Sequence, residues 1–231
     1  MSHFDAKEVA AIFVEPIIGE GGYITPPQKF LKDLRRICDA NGILLIFDEI
    51  QSGIGRTGHM FAAEHFDVMP DILVSAKGIA SGMPLGAIIA KDSVMTWPRG
   101  SHGSTYGGNP VCCAASLATL EIIDGLLPQI RSTGEILIKG LQELQKKHSA
   151  IGDIRGTGLM IGCEFVNPKN KEPATQFVGQ LEQLAFRKGL LLLSCGKSTI
   201  RFAPPLVISP EEVKVGLEVL DQCLVELGPV K

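Results

Sequence analysis

The chain has 231 residues, a formal net charge of −3 at pH 7 and 45% hydrophobic residues. That length accommodates one large domain or two small ones, with enough apolar surface for a core. The small negative charge argues against the basic surfaces that bind nucleic acids or anionic membranes. No signal peptide is evident, and no apolar run approaches the roughly 20 residues of a spanning helix, so we expect a cytoplasmic protein without membrane association.

The cysteines point to a reducing compartment rather than to a disulfide framework or a metal site. None of them stands in C-x-x-C spacing, and most have apolar neighbours. Buried, reduced thiols are the ordinary consequence of that pattern, and zinc sites need a different spacing. We therefore predict no metal and free thiols at all six cysteines: Cys38, Cys112, Cys113, Cys163, Cys195 and Cys223.

In the first half of the chain, apolar runs alternate with helical patterns and glycine-rich turns. Continuous Ile/Leu/Val runs are typical of strands covered on both faces, the pattern of a parallel sheet. Strands are predicted at Val9–Glu15, Ile43–Phe47, Ile72–Ser75 and Leu85–Ala90. Helices are predicted from Pro26-Pro27 to Asn41-Gly42 and, briefly, around Phe61–Phe66.

The second half of the chain differs from the first in the pattern of its predicted elements. Asn109 caps a helix that begins at Pro110 and is predicted to end near Ile123, and a second helix is predicted over Gln129–Lys147. The later elements are a strand pair around Gly158–Phe165, a helix to Lys188, strands at Leu190–Leu193 and Thr199–Phe202, and a closing helix from Ser209. We predict a partial large α/β domain over residues 1–118 and a small α+β domain over residues 119–231.

Two patterns suggest nucleotide binding, but neither has the strand, turn and helix that such a site requires around it. Residues 53–58 fit G-x-G-x-x-G, but four residues separate the preceding strand from the first glycine and the helix that follows is short. The strand and acids of Leu44–Glu49, taken with Gly196-Lys197-Ser198, resemble parts of a phosphate loop. Position 191 is leucine instead of the required glycine, Pro204-Pro205 blocks the required helix, and the chain order is reversed.

An acid and an amine follow two successive apolar runs. Asp48 comes after the Ile43–Phe47 strand, and Lys77 comes shortly after Ile72–Ser75. In open α/β sheets the carboxyl ends of the strands line the ligand crevice, so both side chains are expected at the rim of one cleft. Alone, either residue is more often a turn residue or a solvated charge. Together they suit a cofactor that needs an anion on one side and a nucleophilic amine on the other.

Several motifs resemble those of the class III aminotransferases, which are fold-type-I pyridoxal-phosphate enzymes. The resemblance covers nearly the whole chain, and the motifs occur in the family's order. They are Glu15-Pro16 with Gly19-Glu20-Gly21-Gly22, Phe47-Asp48-Glu49-Ile50-Gln51-Ser52-Gly53, Gly55-Arg56-Thr57-Gly58, Ala76-Lys77-Gly78, Thr105-Tyr106-Gly107-Gly108-Asn109-Pro110 and Ile200-Arg201-Phe202. The Leu190–Gly196 segment is most similar to that of 4-aminobutyrate aminotransferases. The implied fold is part of a mostly parallel sheet with helices on both faces, followed by the small α+β domain.

The resemblance also implies a role for individual residues. Lys77 would bind pyridoxal 5′-phosphate covalently and then move a proton at the substrate carbon. Asp48 would face the pyridine nitrogen, and Gln51 would lie near the phenolic oxygen. Glu49 is expected to be structural. Thr105 would reach the cofactor phosphate of a neighbouring subunit, which implies a homodimer or a higher homo-oligomer.

Substrate choice is expected to depend on Arg201 and Glu15. In the family such an arginine takes a substrate carboxylate, and a glutamate neutralises it when the donor has none there, because a buried unpaired charge is costly. The expected reaction moves an amino group from an ω-amino acid such as 4-aminobutyrate to 2-oxoglutarate. An acetylornithine- or ornithine-type aminotransferase, or a class III racemase, remains an alternative.

The chain lacks the part that the family places upstream of Glu15. That part carries the glycine/serine turn and helix N-terminus that hold the phosphate, an aromatic residue for the ring and an arginine for the distal carboxylate. A rival interpretation follows: an inactive or partner-dependent half of a split or truncated aminotransferase, with a separate N-terminal half chain as its partner. Unpaired sheet edges would favour such pairing. The sequence leaves open the amine donor, the oligomeric state and independent folding.

Overall fold

The computed structural model describes residues 5–230 of the chain. It contains eight strands, β1 to β8, at Ala11–Val14, Leu44–Asp48, Ile72–Ser75, Ala87–Ala90, Ile151–Thr157, Met160–Phe165, Leu193–Cys195 and Thr199–Phe202. Its five α-helices, α1 to α5, are Gln28–Asn41, Ala62–Phe66, Pro110–Lys147, Thr175–Arg187 and Pro210–Leu227. Short 3₁₀ turns lie at Ala6–Glu8 and Lys77–Ala80.

The first four strands form one sheet in the order β1-β2-β3-β4. The first three are parallel, and β4 runs antiparallel to β3. Leu45 and Phe47 of β2 are both fully buried, as the continuous apolar run of this central strand predicts. The predicted α/β class with a mostly parallel sheet is confirmed.

The last four strands form an antiparallel sheet in the order β5-β6-β8-β7. Its core combines apolar side chains of β6 with those of α4 and α5, and Leu159, Ile161, Phe165 and Leu181 are fully buried. Ser209 caps α5 and forms a capping box with Glu212. The strand predicted at Leu190–Leu193 instead begins at Leu193, because Gly189 takes a left-handed φ of 85° and the chain must first leave α4.

The described chain divides into two compact units that are not contiguous in sequence. The first unit comprises residues up to Ile17, Pro26–Gly55 and His59–Gly125, and the second comprises Ile18–Thr25, Arg56–Gly58 and the residues from Leu126 onward. The predicted boundary at 118/119 therefore differs from the observed one at 125/126. The prediction also missed two short segments, because it assumed that each domain is one continuous stretch.

Helix α3 is continuous where the sequence predicted two helices. It runs from Pro110 to Lys147 with Pro128 inside it. A proline removes one backbone hydrogen bond and can kink a helix, but the helix continues here between buried Ile123 and Ile130. By length and composition α3 could cross a membrane, which the sequence pattern did not predict. Core helices of water-soluble proteins pass the same test, but only 22% of the most apolar 18-residue window of α3 is buried.

All six cysteines are free thiols in the structure. Burial raises the pKa of Cys195 to about 11 and raises that of Cys163 further. Within residues 5–230, no three His, Cys, Asp or Glu side chains cluster in a way that could hold a metal ion.

A buried carboxylate joins four elements of the first unit. Asp71, just before β3, accepts hydrogen bonds from Arg35 of α1 at 2.7 Å, from Lys91 after β4 at 2.8 Å and from the Leu45 N–H of β2 at 2.8 Å. Burial opposes ionisation, but these three donors outweigh it and lower the pKa of Asp71 to about 2. Asp71 is therefore an ionised anchor at neutral pH.

Replacing Asp71 with asparagine should lower the free energy of unfolding by about 2 kcal/mol at about pH 7. A carboxylate with a depressed pKa stabilises the fold above its unfolded pKa, and that contribution is lost as the pH falls through its folded pKa. The difference between wild type and Asp71→Asn should hence shrink as the pH falls from 3.8 towards about 2. Urea denaturation across this range measures it.

Asp39→Asn is the matched control, because Asp39 pairs with the same Arg35 at 2.8 Å but leaves its side chain 66% exposed. Such exposed pairs contribute little, so this variant should stay within about 0.5 kcal/mol of wild type. Equal losses in the two variants, or a loss for Asp71→Asn that is independent of pH, would contradict the anchoring role.

Candidate active site

Three charged residues stand at the carboxyl ends of three neighbouring parallel strands. Glu15 follows β1, Asp48 ends β2, and Lys77 lies two residues beyond the end of β3. Val14 pairs with Phe47, so Glu15 comes next to Asp48 in register. Asp48 itself pairs with Val74, three residues before Lys77. The structure thus brings Glu15, Asp48 and Lys77 to one edge of the first sheet.

The backbone turns sharply at both Asp48 and Lys77. The Asp48 carboxylate accepts a hydrogen bond from the Ile50 N–H at 3.0 Å, which starts the turn that contains Gln51. Lys77 begins a 3₁₀ turn with a left-handed φ of 46° and is exposed. L-residues adopt this conformation only where the surrounding structure holds them in it.

Glu49 has the structural environment that the sequence analysis expected. It is fully buried, and its carboxylate accepts hydrogen bonds from the Ser52 hydroxyl at 2.9 Å and from the Ala62 and Ala63 N–H groups at 2.8 and 2.7 Å. Burial raises the pKa of Glu49, against the lowering effect of these donors. The buried Glu49 side chain therefore connects the turn after β2 to the first residues of α2.

Thr105 is not placed at the strand ends of the first sheet. It lies in an exposed, irregular segment that precedes α3. The predicted cap of that helix is present, since the Asn109 side chain accepts a hydrogen bond from the Val111 N–H at 2.9 Å. The structure of this single chain leaves the role of Thr105 a prediction.

Arg201 lies on β8 in the second unit and forms an ion pair with Glu20. Glu15 was predicted to neutralise Arg201, and it belongs to the first unit. This role of Glu15 stays a prediction. The ion pair of Arg201 with Glu20 was not predicted from the sequence. The Gly19-Glu20-Gly21-Gly22 motif marked the residue, but its glycines were interpreted only as a flexible loop.

Arg155 of β5 holds the segment that carries Glu20. Its guanidinium donates to the Gly22 carbonyl at 2.6 Å and to the Tyr23 carbonyl at 3.1 Å. It also donates to the carboxylates of Asp153 and Glu164, at 2.8 and 2.7 Å. One arginine thus ties the 18–25 segment to the second sheet.

Two further side chains add to the electrostatics around Arg201. Arg56 donates to the carbonyls of Pro204 and Leu159, at 2.6 and 3.2 Å, and burial lowers its pKa. Burial raises the pKa of the Tyr23 phenol, against the opposing effect of the positive charges of Arg201 and Arg56. The Tyr23 phenol therefore lies within reach of two positive charges, those of Arg201 and Arg56, and of the negative charge of Glu20.

The residues at the edge of the first sheet fit the cofactor that the motifs imply. A carboxylate and an exposed primary amine follow adjacent parallel strands, so one planar heterocycle could meet an anion through Asp48 and a nucleophile through Lys77. Gln51, in the turn after Asp48, would add a polar contact. The donor set matches the chemistry of pyridoxal phosphate.

The chain matches known proteins over nearly its whole length. A family model described as "Aminotransferase class-III" matches residues 1–224. An acetylornithine aminotransferase of Caldanaerobacter subterraneus subsp. tengcongensis is 44% identical over 222 residues, covering 95% of this chain and 54% of the relative. A 4-aminobutyrate aminotransferase of Mycobacterium leprae is 42% identical over 224 residues, covering 95% of this chain and 50% of the relative.

The solved structures give the same result. A transaminase from the marine bacterium Virgibacillus superposes with a TM-score of 0.88 at 32% identity, covering 94% of this chain and 53% of that chain. The chain thus spans about half the length of the relatives it matches. The identities of 44% and 42% to relatives with different named substrates do not single out the 4-aminobutyrate enzymes.

Replacing Arg155 with lysine should release the 18–25 segment, because one ammonium cannot replace the fork of donors that reaches two carbonyls and two carboxylates. We expect a loss of about 2 kcal/mol in unfolding free energy and faster hydrogen exchange at the Ile24 and Gly196 amides. These amides bond to the Ile18 and Glu20 carbonyls. Exchange measured by NMR or mass spectrometry checks the prediction.

Arg187→Lys serves as its control, because Arg187 is exposed and its one side-chain hydrogen bond within residues 5–230 goes to the Gln183 carbonyl of its own helix. This substitution should leave both amides unchanged. Protection at Ile24 and Gly196 that survives in Arg155→Lys would show that Arg155 does not hold the segment.

Proposed function

The chain belongs to the class III aminotransferase family, and on this premise we propose that it supplies half of a pyridoxal-phosphate-dependent aminotransferase. The proposed reaction moves an amino group from an ω-amino acid such as 4-aminobutyrate to 2-oxoglutarate. The observation that carries the proposal is the placement of Asp48 and Lys77 at the carboxyl ends of adjacent parallel strands. Class III aminotransferases depend on pyridoxal phosphate.

When bound, pyridoxal phosphate supplies a ring that takes up the electron pair left on the amine-bearing carbon after that carbon loses a proton. The Asp48 carboxylate would favour a protonated pyridine nitrogen, which keeps such a ring electron-poor. The Lys77 amine would hold the cofactor and, once released by the substrate amine, would move the proton at the substrate carbon. The Gln51 amide would lie near the phenolic oxygen.

Arg201 is proposed to bind a substrate carboxylate. The guanidinium forks onto carboxylates in a bidentate way, and the positive charge of Arg56 adds to the attraction. Glu20 is proposed to neutralise Arg201 when the amine donor brings no carboxylate to it, and its ion pair with Arg201 supports this role. The same role for Glu15 stays a prediction from sequence.

Assembly and location complete the proposal. Thr105 is proposed to donate to the cofactor phosphate of a second copy of the chain, so that a homodimer or a higher homo-oligomer would be the working form. Its exposed position in the segment before α3 is compatible with that contact. A cytoplasmic location accords with the free thiols at all six cysteines.

Acetylornithine- or ornithine-type transamination is the nearest alternative in substrate. It is favoured by the 44% identity to an acetylornithine aminotransferase, and the Leu190–Gly196 segment favours 4-aminobutyrate. Steady-state assays with 2-oxoglutarate as acceptor and 4-aminobutyrate, ornithine or N-acetylornithine as donor separate the two.

A second candidate function is that of a partner-dependent half enzyme. Both outer strands of the first sheet have an edge that no strand of the described chain pairs. These strands expose large apolar side chains: Phe13 of β1 is 70% exposed, and Ile88 and Ile89 of β4 are 50% and 49% exposed. Successive residues of a strand point to opposite faces, so β4 is open on both sides. A complementary chain could pair these edges.

Sodium borohydride treatment of the protein with pyridoxal phosphate should attach the reduced cofactor to Lys77. Peptide mass mapping identifies the modified residue, and Lys77→Ala should abolish that modification because it removes the nucleophile. Lys29→Ala is the control, since the Lys29 side chain is 83% exposed and lies on α1. Undiminished modification at some other lysine in Lys77→Ala would refute the assignment.

If the chain is a partner-dependent half, transamination should appear only when it is co-expressed with the upstream half of a class III relative. Phe13→Glu should then weaken the complex and the activity together, because a charge would be buried at the paired edge. Met69→Glu is the control at a 74% exposed apolar residue outside the strands. Full activity of the chain alone would exclude this second candidate.

A further inference from the structure

The turn that Lys77 begins ends in a serine with a strained backbone. Ser81 follows the Lys77–Ala80 turn with a left-handed φ of 46° and a ψ of 44°. Glycine is the usual residue at such a position, because a Cβ makes the left-handed region unfavourable. Another residue persists there only where its surroundings hold it. A serine at this position has one group that glycine lacks, its hydroxyl.

The Ser81 hydroxyl contacts helix α3. Its Oγ lies 2.9 Å from Oγ1 of Thr119, a residue that is 7% exposed. Thr119 Oγ1 in turn donates to the Ala115 carbonyl, one helical turn earlier, at 2.7 Å. A threonine hydroxyl has a single proton, and this bond uses it. Ser81 is therefore the donor, and Thr119 the acceptor, of the bond that joins the turn to α3.

The middle of the turn is held in a different way. Ile79 is 6% exposed and Ala80 is fully buried, so apolar packing fixes how deep the turn lies. Packing of this kind has no preferred direction, whereas a hydrogen bond requires a narrow range of distance and angle. The bond from Ser81 to Thr119 therefore restrains the orientation of the turn, in addition to its depth.

Backbone bonds carry this restraint from Ser81 back to Lys77. The Ile79 N–H donates to the Ala76 carbonyl at 3.1 Å. The Ser81 N–H donates to the Gly78 carbonyl at 3.3 Å. The two bonded loops overlap, so the turn moves as one unit. A bond made at Ser81 therefore also limits the direction in which the Lys77 side chain leaves the backbone.

We infer that Ser81 and Thr119 are positioning residues for Lys77: the bond from the Ser81 hydroxyl to Thr119 orients the turn on α3 and so directs the Lys77 amine. The inference rests on the proposed function of Lys77 and deepens it. Lys77 supplies the amine, and the hydroxyl pair sets the direction in which that amine extends. The strain at Ser81 is then explained by a contact that glycine could not make.

Three variants remove or keep this bond. Thr119→Val removes the acceptor with little change of shape, and Thr119→Ser keeps it. Ser81→Gly removes the donor and relieves the left-handed strain at the same time. Thr133→Val is the matched control, because Thr133 lies on the same helix and is 1% exposed, but its hydroxyl has no hydrogen-bond partner within residues 5–230.

The first measurement needs no cofactor. Hydrogen exchange at the Ile79 and Met83 amides, which bond within the turn, should rise about tenfold in Thr119→Val and in Ser81→Gly. It should stay within about twofold of wild type in Thr119→Ser and Thr133→Val. The midpoint of urea unfolding should not fall in Ser81→Gly, because glycine relieves the strain. Local loosening is thereby separated from a general loss of stability.

The second measurement is the rate at which borohydride traps pyridoxal phosphate on Lys77, relative to exposed Lys29 in the same sample. That ratio should fall about fivefold in Thr119→Val and in Ser81→Gly, because the amine is no longer held in one direction. It should be unchanged in Thr119→Ser and Thr133→Val. A purely structural role for the hydroxyl pair would lower stability without changing the ratio selectively.

Each outcome decides the inference. Faster exchange and a lower ratio in Thr119→Val and Ser81→Gly, with wild-type values in Thr119→Ser, support it. Wild-type behaviour of Thr119→Val, equal effects in Thr133→Val, or faster exchange with an unchanged ratio overturn it. If wild-type Lys77 reacts no faster than Lys29, the proposed function fails, and the exchange measurement alone decides whether the hydroxyl pair holds the turn.

Discussion

The parallel pairing of β2 with β3 is the constraint on which the candidate site depends. Asp48 pairs with Val74. Because side chains alternate between the two faces of a sheet, a slip of one residue in this pairing would move every side chain of the strand to the opposite face. Leu45 and Phe47 on one face and Ile46 on the other are all buried, so a slip would force each of them into a packing site shaped for a different side chain. The core of the first unit therefore fixes the register, and the register brings an acid and an amine to one edge.

Buried charged side chains hold several elements of both units in place. The hydrogen-bond partners of each side chain determine whether its pKa is raised or lowered. Asp71 is surrounded by two cations and a backbone donor, and these outweigh its burial. Glu49 has neutral donors only, and there burial has the larger effect on the pKa. In both cases the carboxylate is fully used by the backbone or side chains that it holds. Arg155 plays the corresponding role in the second unit, through two carbonyls of the 18–25 segment.

Local patterns predicted most of the elements and the ends of some of the strands. The Ile72–Ser75 and Thr199–Phe202 strands have the predicted bounds, and Asp48 and Lys77 lie where continuous apolar runs end. What local patterns missed depends on contacts that are distant in sequence. Two helices were predicted over the stretch in which α3 runs without a break. Glu20 was passed over because nothing near it in sequence reveals its ion pair with Arg201, which lies 181 residues further along.

The interleaving of the two units limits how this fold can be recombined. The chain passes between them at 17/18, 25/26, 55/56, 58/59 and 125/126. A cassette cut from residue 126 onward would lose the carbonyls of Gly22 and Tyr23 that Arg155 binds and that of Gly58, to which Arg131 donates at 2.5 Å. Such a fragment would lack contacts that hold the second unit together. Recombination between relatives would therefore have to exchange all three stretches of the second unit at once, which favours inheritance of the two units together.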